Sequence, residues 1–424
     1  MSGANYLLLS GSAGSAGGNF ARYPLKGRIY LNPRGVWCDA DGPCLIFFHS
    51  AFQLITLVAT DKPEAVRTVR AIARAGSGVR FFTRIGADFD VVGRHPYFSD
   101  TFWGKGNREI DSTMCRDYLA ETLDLCGDHG LKVFTTMGSM SKNDAVEYDF
   151  HMMVADIVVA SGHTETLAGA EHRNEPDQTS QYTGDPPKAW TLAKRTMQDF
   201  KAKVGCVITG GSWGDNDMVL ASADGMDAMD THANRSPTPE HVRHVHTVWN
   251  TYKFNGRSNK GIWRGEDPGP NDPYVENTRR EPHASIGGDM FVGNNDPDYQ
   301  FADTMVAAFT GQAQCWLNGP AVRQYCPIDS TAWGFLECPE LLHTFMPKDV
   351  GVWAMQTPNP SWIIAPDNKR FVYAGLTAWG QYTRPPRPIG KRRVVTAAGL
   401  LSDGSGPVTL PEGVKSLLIV GEFA

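Results

Sequence analysis

The sequence predicts a (β/α)8 barrel, an α/β TIM barrel, followed by a small antiparallel β-domain of sandwich-like character. Three observations carry that expectation. Eight strand-like runs, centred near residues 46, 82, 133, 169, 207, 228, 262 and 315, alternate with helix-like segments. No Gly-x-Gly-x-x-Gly turn follows the first run, which argues against an open doubly wound sheet. Past about residue 340 short runs separated by turn residues replace the alternation. The expected division is a flexible segment over 1–25, the barrel over 26–340 and the β-domain over 341–424.

Each element has a local reason. Gly11 to Gly18 is too rich in glycine and serine to order itself. Val36–Cys38 and Cys44–Phe48 are apolar runs joined by Asp41-Gly42, a hairpin signal. Pro63–Ala75 puts Ala65, Val66, Val69, Ile72 and Ala73 on one helical face. Strand-like Val79–Ile85 precedes a helix over Met114–His129, and strand-like Leu131–Thr136 precedes one over Asp144–Val159. Leu167–Glu171 precedes a helix over Trp190–Lys203, then come Gly205–Thr209 and Gly225–Asp230 as strands and Pro239–Tyr252 as helix. Gly261–Trp263 begins a strand, Phe301–Phe309 is helical and Ala313–Leu317 is a strand. In the C-terminal part, Val350–Met355, Ser361–Ile364, Arg370–Ala374, Arg393–Thr396 and Ser416–Val420 read as strands.

Composition narrows the function classes. With 41% hydrophobic and 20% charged residues, the 424-residue chain is globular, not disordered or collagenous. A net charge of −6 without a basic stripe speaks against nucleic acid or a membrane surface as partner. No apolar run approaches the ~20 residues a spanning helix needs. The N-terminus lacks the basic start and the ~7–15-residue apolar stretch of a secretory signal, so a cytoplasmic location or release by another route is expected. The eight cysteines form no Cys-x-x-Cys. Cys38 and Cys44 flank a turn and could pair in an oxidising compartment, but free thiols are the favoured reading. His241 and His244 share a helical face, His246 does not, and no acidic ligand partner is evident, so neither a metal nor a cofactor is expected.

In such a barrel the chemistry lies where strands end and βα loops begin. The fourth run ends in Ala170-Glu-His-Arg-Asn-Glu-Pro-Asp177 and the seventh in Gly261-Ile-Trp-Arg-Gly-Glu-Asp-Pro-Gly269. Each presents a glutamate just past an apolar stretch, Glu175 and Glu266, with Asp267 as the runner-up to Glu266.

Asn174-Glu175-Pro176 resembles the Asn-Glu-Pro signature of the clan A glycoside hydrolases, retaining glycosidases built on (β/α)8 barrels. Ile262-Trp-Arg-Gly-Glu266 is similar to the strand-seven pattern of that clan. The resemblance covers roughly residues 35–320 and implies Glu175 as acid/base and Glu266 as nucleophile. Asp227-Ala-Met-Asp-Thr-His232 resembles the strand-six ending, and Trp316 in Ala313-Gln-Cys-Trp316 resembles the strand-eight tryptophan under the sugar. The clan often has Tyr two residues after that histidine, where this chain has Asn234. It also carries an arginine on strand two; Arg80 and Arg84 share parity, and Arg84 is preferred as nearer the strand's C-terminal end.

The chemistry fits those residue types. Two carboxyls ~5–5.5 Å apart supply a proton to the leaving oxygen and a nucleophile to the anomeric carbon, with retention. Their proximity raises the acid's pKa, and an arginine keeps the nucleophile ionised. Asn174 is expected to hydrogen-bond the sugar 2-hydroxyl, and Trp316 to offer an apolar platform, with Trp213 as a further one. Of Glu171 and His172, His172 is taken as the site-lining group. The expectation is a retaining, endo-acting hydrolase of β-linked oligo- or polysaccharide. The alternative is a non-catalytic glycan-binding or virion structural protein on an inactive barrel.

Overall fold

A computed structural model of the chain describes residues 21–51, 54–83, 112–137, 144–173, 186–211, 223–232, 260–268, 297–309, 311–317, 336–354, 362–376 and 386–424. It is a (β/α)8 barrel with a separate antiparallel sheet at the C-terminal end of the chain. A small antiparallel sheet comes first: β1 (Tyr30–Leu31), β2 (Trp37–Asp39) and β3 (Gly42–Pro43). The Asp41-Gly42 hairpin therefore closes onto β3, and the residues after it separate to become the first barrel strand, β4 (Phe47–Ser50).

The barrel strands are β4, β5 (Gly78–Phe82), β6 (Lys132–Thr136), β7 (Leu167–Glu171), β8 (Val207–Thr209), β9 (Ala228–His232), β10 (Gly261–Pro268) and β11 (Ala313–Leu317). All seven ladders among them are parallel, in the order β8-β7-β6-β5-β4-β11-β10-β9. The ring closes between β8 and β9 through Asp227 N–H to Ile208 O at 3.0 Å and the Thr209 hydroxyl to Asp230 Oδ2 at 3.3 Å.

Helices return the chain on the outside: α1 (Leu54–Thr60), α2 (Lys62–Ala75), α3 (Ser112–Asp128), α4 (Asp144–Ala160), α5 (Pro186–Val204) and α6 (Pro297–Phe309). The expected helix over Pro239–Tyr252 lies outside the described residues. Helix α2 shows why these segments fold as they do. Asp61 caps it by accepting from Glu64 N–H at 3.2 Å, proline sits in the first turn, and Ala65, Val69, Ile72 and Ala73 are buried. Its last turn meets β4 at Gly76, where a Cβ would lie 2.7 Å from the His49 ring.

Alternation along the strands, interrupted in β7 by a register shift, divides their side chains. Val79, Phe81, Val133, Leu167, Ala170 and Ile208 face outward and share one core with α1–α5. Ile46, Phe48, Phe134, Ala168, Val207, Ala228, Ala313 and Cys315 fill the interior, and Leu25, Ile29 and Trp37 close its N-terminal end. Glycines accommodate the two large rings: a Cβ on Gly78 would lie 2.0 Å from Phe48, and one on Gly169 2.2 Å from Phe134. Cys38 and Cys44 are free thiols, donating to Val36 O and Trp37 O.

Beyond the barrel, α7 (Glu337–Phe345) and α8 (Val350–Ala354) precede a sheet in the order β12-β13-β16-β14-β15. Its strands are β12 (Trp362–Ile364), β13 (Arg370–Leu376), β14 (Ile389–Thr396), β15 (Gly399–Gly404) and β16 (Ser416–Phe423). The expected strand over Val350–Met355 is corrected to helix over Val350–Ala354: Val350 and Trp353 are buried at helical spacing, and Trp353 Nε1 donates to Asp349 Oδ2 at 2.9 Å. One face of the sheet, with Ile363, Val372, Val395 and Leu418, packs on Met305 and Val306 of α6. Asp298 at the start of α6 accepts from Ser416 N–H at 2.9 Å and from the Ser416 hydroxyl at 2.7 Å. The opposite face is aromatic, with Trp362, Phe371 and Tyr373.

Candidate active site

The C-terminal half of the barrel interior is polar. Arg80 points inward from β5 and is fully buried. Its Nε donates to Thr136 Oγ1 at 3.0 Å and its Nη2 to Glu171 Oε2 at 2.7 Å. The Thr136 hydroxyl donates onward to the same Glu171 oxygen at 2.7 Å. Arg80 also lies over the Phe82 ring, 5.2 Å from its centroid. Three consecutive strands, β5 to β7, are thus tied together by one charge-assisted network inside the barrel.

On the other side of the ring, expected site residues stand on three neighbouring strands, β9 to β11. Glu266 on β10 is in register with His232 on β9, and Asp267 is in register with Trp316 on β11. The register shifts between Arg264 and those residues. Such irregularities re-aim side chains and recur at the rims of barrels. Asn174, Glu175, Arg84 and Trp213 lie outside the described residues. The described chain runs two residues beyond the end of β7, to Arg173.

Of the pair at the end of β7, Glu171 is the inward-facing one. His172 turns the other way, toward α4, and is 2% exposed, which leaves no ring face for a sugar. Its ring stacks on that of His151, with centroids 5.0 Å apart. Burial, together with the neighbouring His151 and Arg173, holds the His172 imidazole well below the usual histidine range, so it is neutral.

A second buried charge cluster surrounds it. Arg173 forks onto Glu147 in the first turn of α4: Nε donates to Oε1 at 2.7 Å and Nη2 to Oε2. His172 Nε2 lies 3.4 Å from Glu147 Oε1. His151 Nδ1 donates to Glu147 O at 2.7 Å, as it must against a carbonyl. Ligand atoms of Glu147, His151 and His172 come within 4.8 Å of one another, a spacing a metal ion could use. The Arg173 fork already engages both Glu147 oxygens, so the carboxylate's charge is matched by a guanidinium. The group reads as an ion pair backed by two imidazoles.

Arg80, Glu171 and Glu147 are not singled out by the sequence. Arg80 shares its parity with Arg84, which lies outside the described residues. The long Arg80 side chain starts at the level of Phe134 and extends to Thr136 at the rim. Glu147 left one trace, its i,i+4 spacing from His151 within the helix.

No protein-family profile matches the sequence, and no curated protein matches it. Solved structures do. A glycoside hydrolase family 5 protein from Bacteroides vulgatus ATCC 8482 aligns with a TM-score of 0.55 at 8% identity, over 95% of each chain. A second structure, described as a glycoside hydrolase, aligns with a TM-score of 0.53 at 10% identity, over 93% of this chain and 97% of the other. The exo-β-1,4-mannosidase Op5Man5 from Opitutaceae bacterium strain TAV5 aligns at 0.47 and 14% identity; this chain covers 62% of its length. The first two likenesses extend over both the barrel and the C-terminal sheet, and they establish a shared fold.

Proposed function

We propose that the protein is a retaining glycoside hydrolase acting on β-linked oligo- or polysaccharide, with Glu175 as acid/base and Glu266 as nucleophile. The observation that carries the reading is the placement of Glu266. It is in register with His232 at the C-terminal rim, on the seventh barrel strand, three strands around from β7, the strand that leads to Glu175. In the first step the Glu266 carboxylate attacks the anomeric carbon while the Glu175 carboxyl protonates the departing oxygen. In the second, Glu175 deprotonates the water that releases the sugar. Asn174, His232, Trp316, Trp213 and Arg84 are the proposed sugar contacts. His172, turned into the helix layer, belongs to the support behind the site.

The test is reducing-end release from mannan, xylan, cellulose, galactan and chitosan. The anomeric proton of the first product, followed by NMR, reports retention or inversion, and product size separates endo from exo action. Glu175→Gln and Glu266→Gln are each expected to lower activity at least ~10²-fold. Inversion, or full activity in either variant, would sink the assignment. Binding of a glycan without cleavage would leave an inactive, glycan-binding barrel.

A further inference from the structure

We propose that Glu147 is a positioning residue for the acid/base. Its ion pair with Arg173 fixes the main chain that runs into Asn174 and Glu175. The inference rests on the functional reading above and concerns residues that the catalytic steps do not use.

Energetics first set this pair apart. Glu147 is fully buried and Arg173 nearly so. A buried ion pair is a poor way to stabilise a fold, because desolvation costs several kcal/mol per ion and packed apolar residues do as well or better. What a forked guanidinium–carboxylate pair does supply is direction, since two parallel bonds fix both the distance and the plane of the groups. Here one partner sits on a helix turn whose backbone is itself held through His151 and Glu147 O. The other partner is the residue immediately before Asn174.

Geometry then shows what the pair holds. Two residues earlier, Glu171 is tied into the barrel interior by Arg80 and Thr136. Arg173 is tied outward to α4. Between them His172 is clamped against His151, with its carbonyl 3.4 Å from His151 Nε2. The segment 171–173 is therefore anchored on both sides of the sheet, Glu171 inward and His172 and Arg173 outward, immediately before Asn174 in the chain. An acid/base must protonate a specific oxygen. A displacement of ~1 Å in such a group costs on the order of 10²-fold in rate.

A positioning role and a merely structural one differ in their leaving-group dependence. The probes are 2,4-dinitrophenyl and phenyl β-cellobiosides and β-mannobiosides, in whichever series the wild-type enzyme cleaves. Because kcat/KM reports the first, glycosylation step, a leaving group that needs no proton bypasses the acid. Glu147→Gln is expected to lower kcat/KM about 10²-fold on the phenyl glycoside and less than about threefold on the dinitrophenyl one. Its kcat/KM–pH profile should also shift on the limb that reports the acid.

The double variant Glu147→Leu/Arg173→Met removes both charges and keeps the volume apolar, so it tests the same point where the single variant folds poorly. It is expected to show the same leaving-group dependence. Equal losses on the two leaving groups, or full activity on both in the folded double variant, would overturn the proposal. In that case Glu175→Gln still shows its own selective loss on the phenyl glycoside. If Glu175→Gln shows no such loss, the functional reading itself fails, and the positioning role fails with it.

Discussion

The two ends of the barrel interior are built on opposite principles. At the N-terminal end Phe48, Phe134 and a ring of small residues fill the space, and Leu25, Ile29 and Trp37 close it. At the C-terminal end Arg80, Thr136, Glu171, Thr209 and Asp230 are buried on inward-facing positions of five consecutive strands. Apolar packing alone would serve both ends equally well, and burying Arg80 with Glu171 carries a desolvation cost that Phe48 against Gly78 does not. The difference teaches that one end is organised for stability and the other for holding charge in fixed places, the property that the proposed site requires.

The largest expected effect comes from breaking the polar end. Arg80→Met leaves Glu171 buried without its partner and is expected to cost about 3–5 kcal/mol of stability, read from urea unfolding. Adding Glu171→Leu should restore much of that stability, because the orphaned charge is gone. Glycan cleavage should nevertheless stay depressed in the double variant. Full activity in a stable double variant would show that the polar end is only another way of packing a barrel. Phe134→Ala makes the opposite case. It should lose a comparable ~3–5 kcal/mol, while activity per folded molecule is unchanged at temperatures below the transition.

A smaller effect sharpens the description of the closed end. Gly169→Ala places a methyl where the Phe134 ring already lies, 2.2 Å from its edge. Overpacking of this kind costs about 1–3 kcal/mol. Pairing it with Phe134→Leu, which withdraws the ring, should recover part of the loss. Additive losses in the pair would mean that the glycine is not there to admit the ring.

How much of this was legible in the sequence follows the same divide. The strand sequence was readable because alternation and turn residues act locally, and the run from Leu167 to Glu171 marks β7 without reference to anything distant. The Val350–Ala354 segment was misread because five apolar-rich residues satisfy period two as well as helical spacing. Only the contact between Trp353 and Asp349, and the burial against α6, decide for a helix. The partners at the polar end were out of reach for a different reason. Arg80 and Glu171 are 91 residues apart, and Arg173 and Glu147 are 26 apart. Which arginine meets which carboxylate depends on strand neighbours and side-chain reach, and neither has a local signature.

A last expected effect is a pH dependence at the outer margin of the closed end, where Tyr23 lies just before the interior plug begins at Leu25. The His343 ring stacks on Tyr23 with centroids 4.0 Å apart, and Phe47 meets it edge-on. Burial, with Lys348 and Arg22 nearby, lowers the His343 pKa to about 4. A histidine in the unfolded chain titrates near ~6.5, so below that pH the unfolded state binds a proton that the folded state refuses. This contribution to stability is therefore intact above ~6.5 and is lost progressively as the pH falls toward about 4, below which it changes no further. His343→Phe keeps the stack and removes the titration. The urea midpoint of the wild type should drop between pH 7 and pH 5 by more than that of the variant. The same drop in both proteins would assign the pH dependence elsewhere, with His172 beside the ion pair at the polar end as the next group to test, because its imidazole is held neutral by the same physical cause.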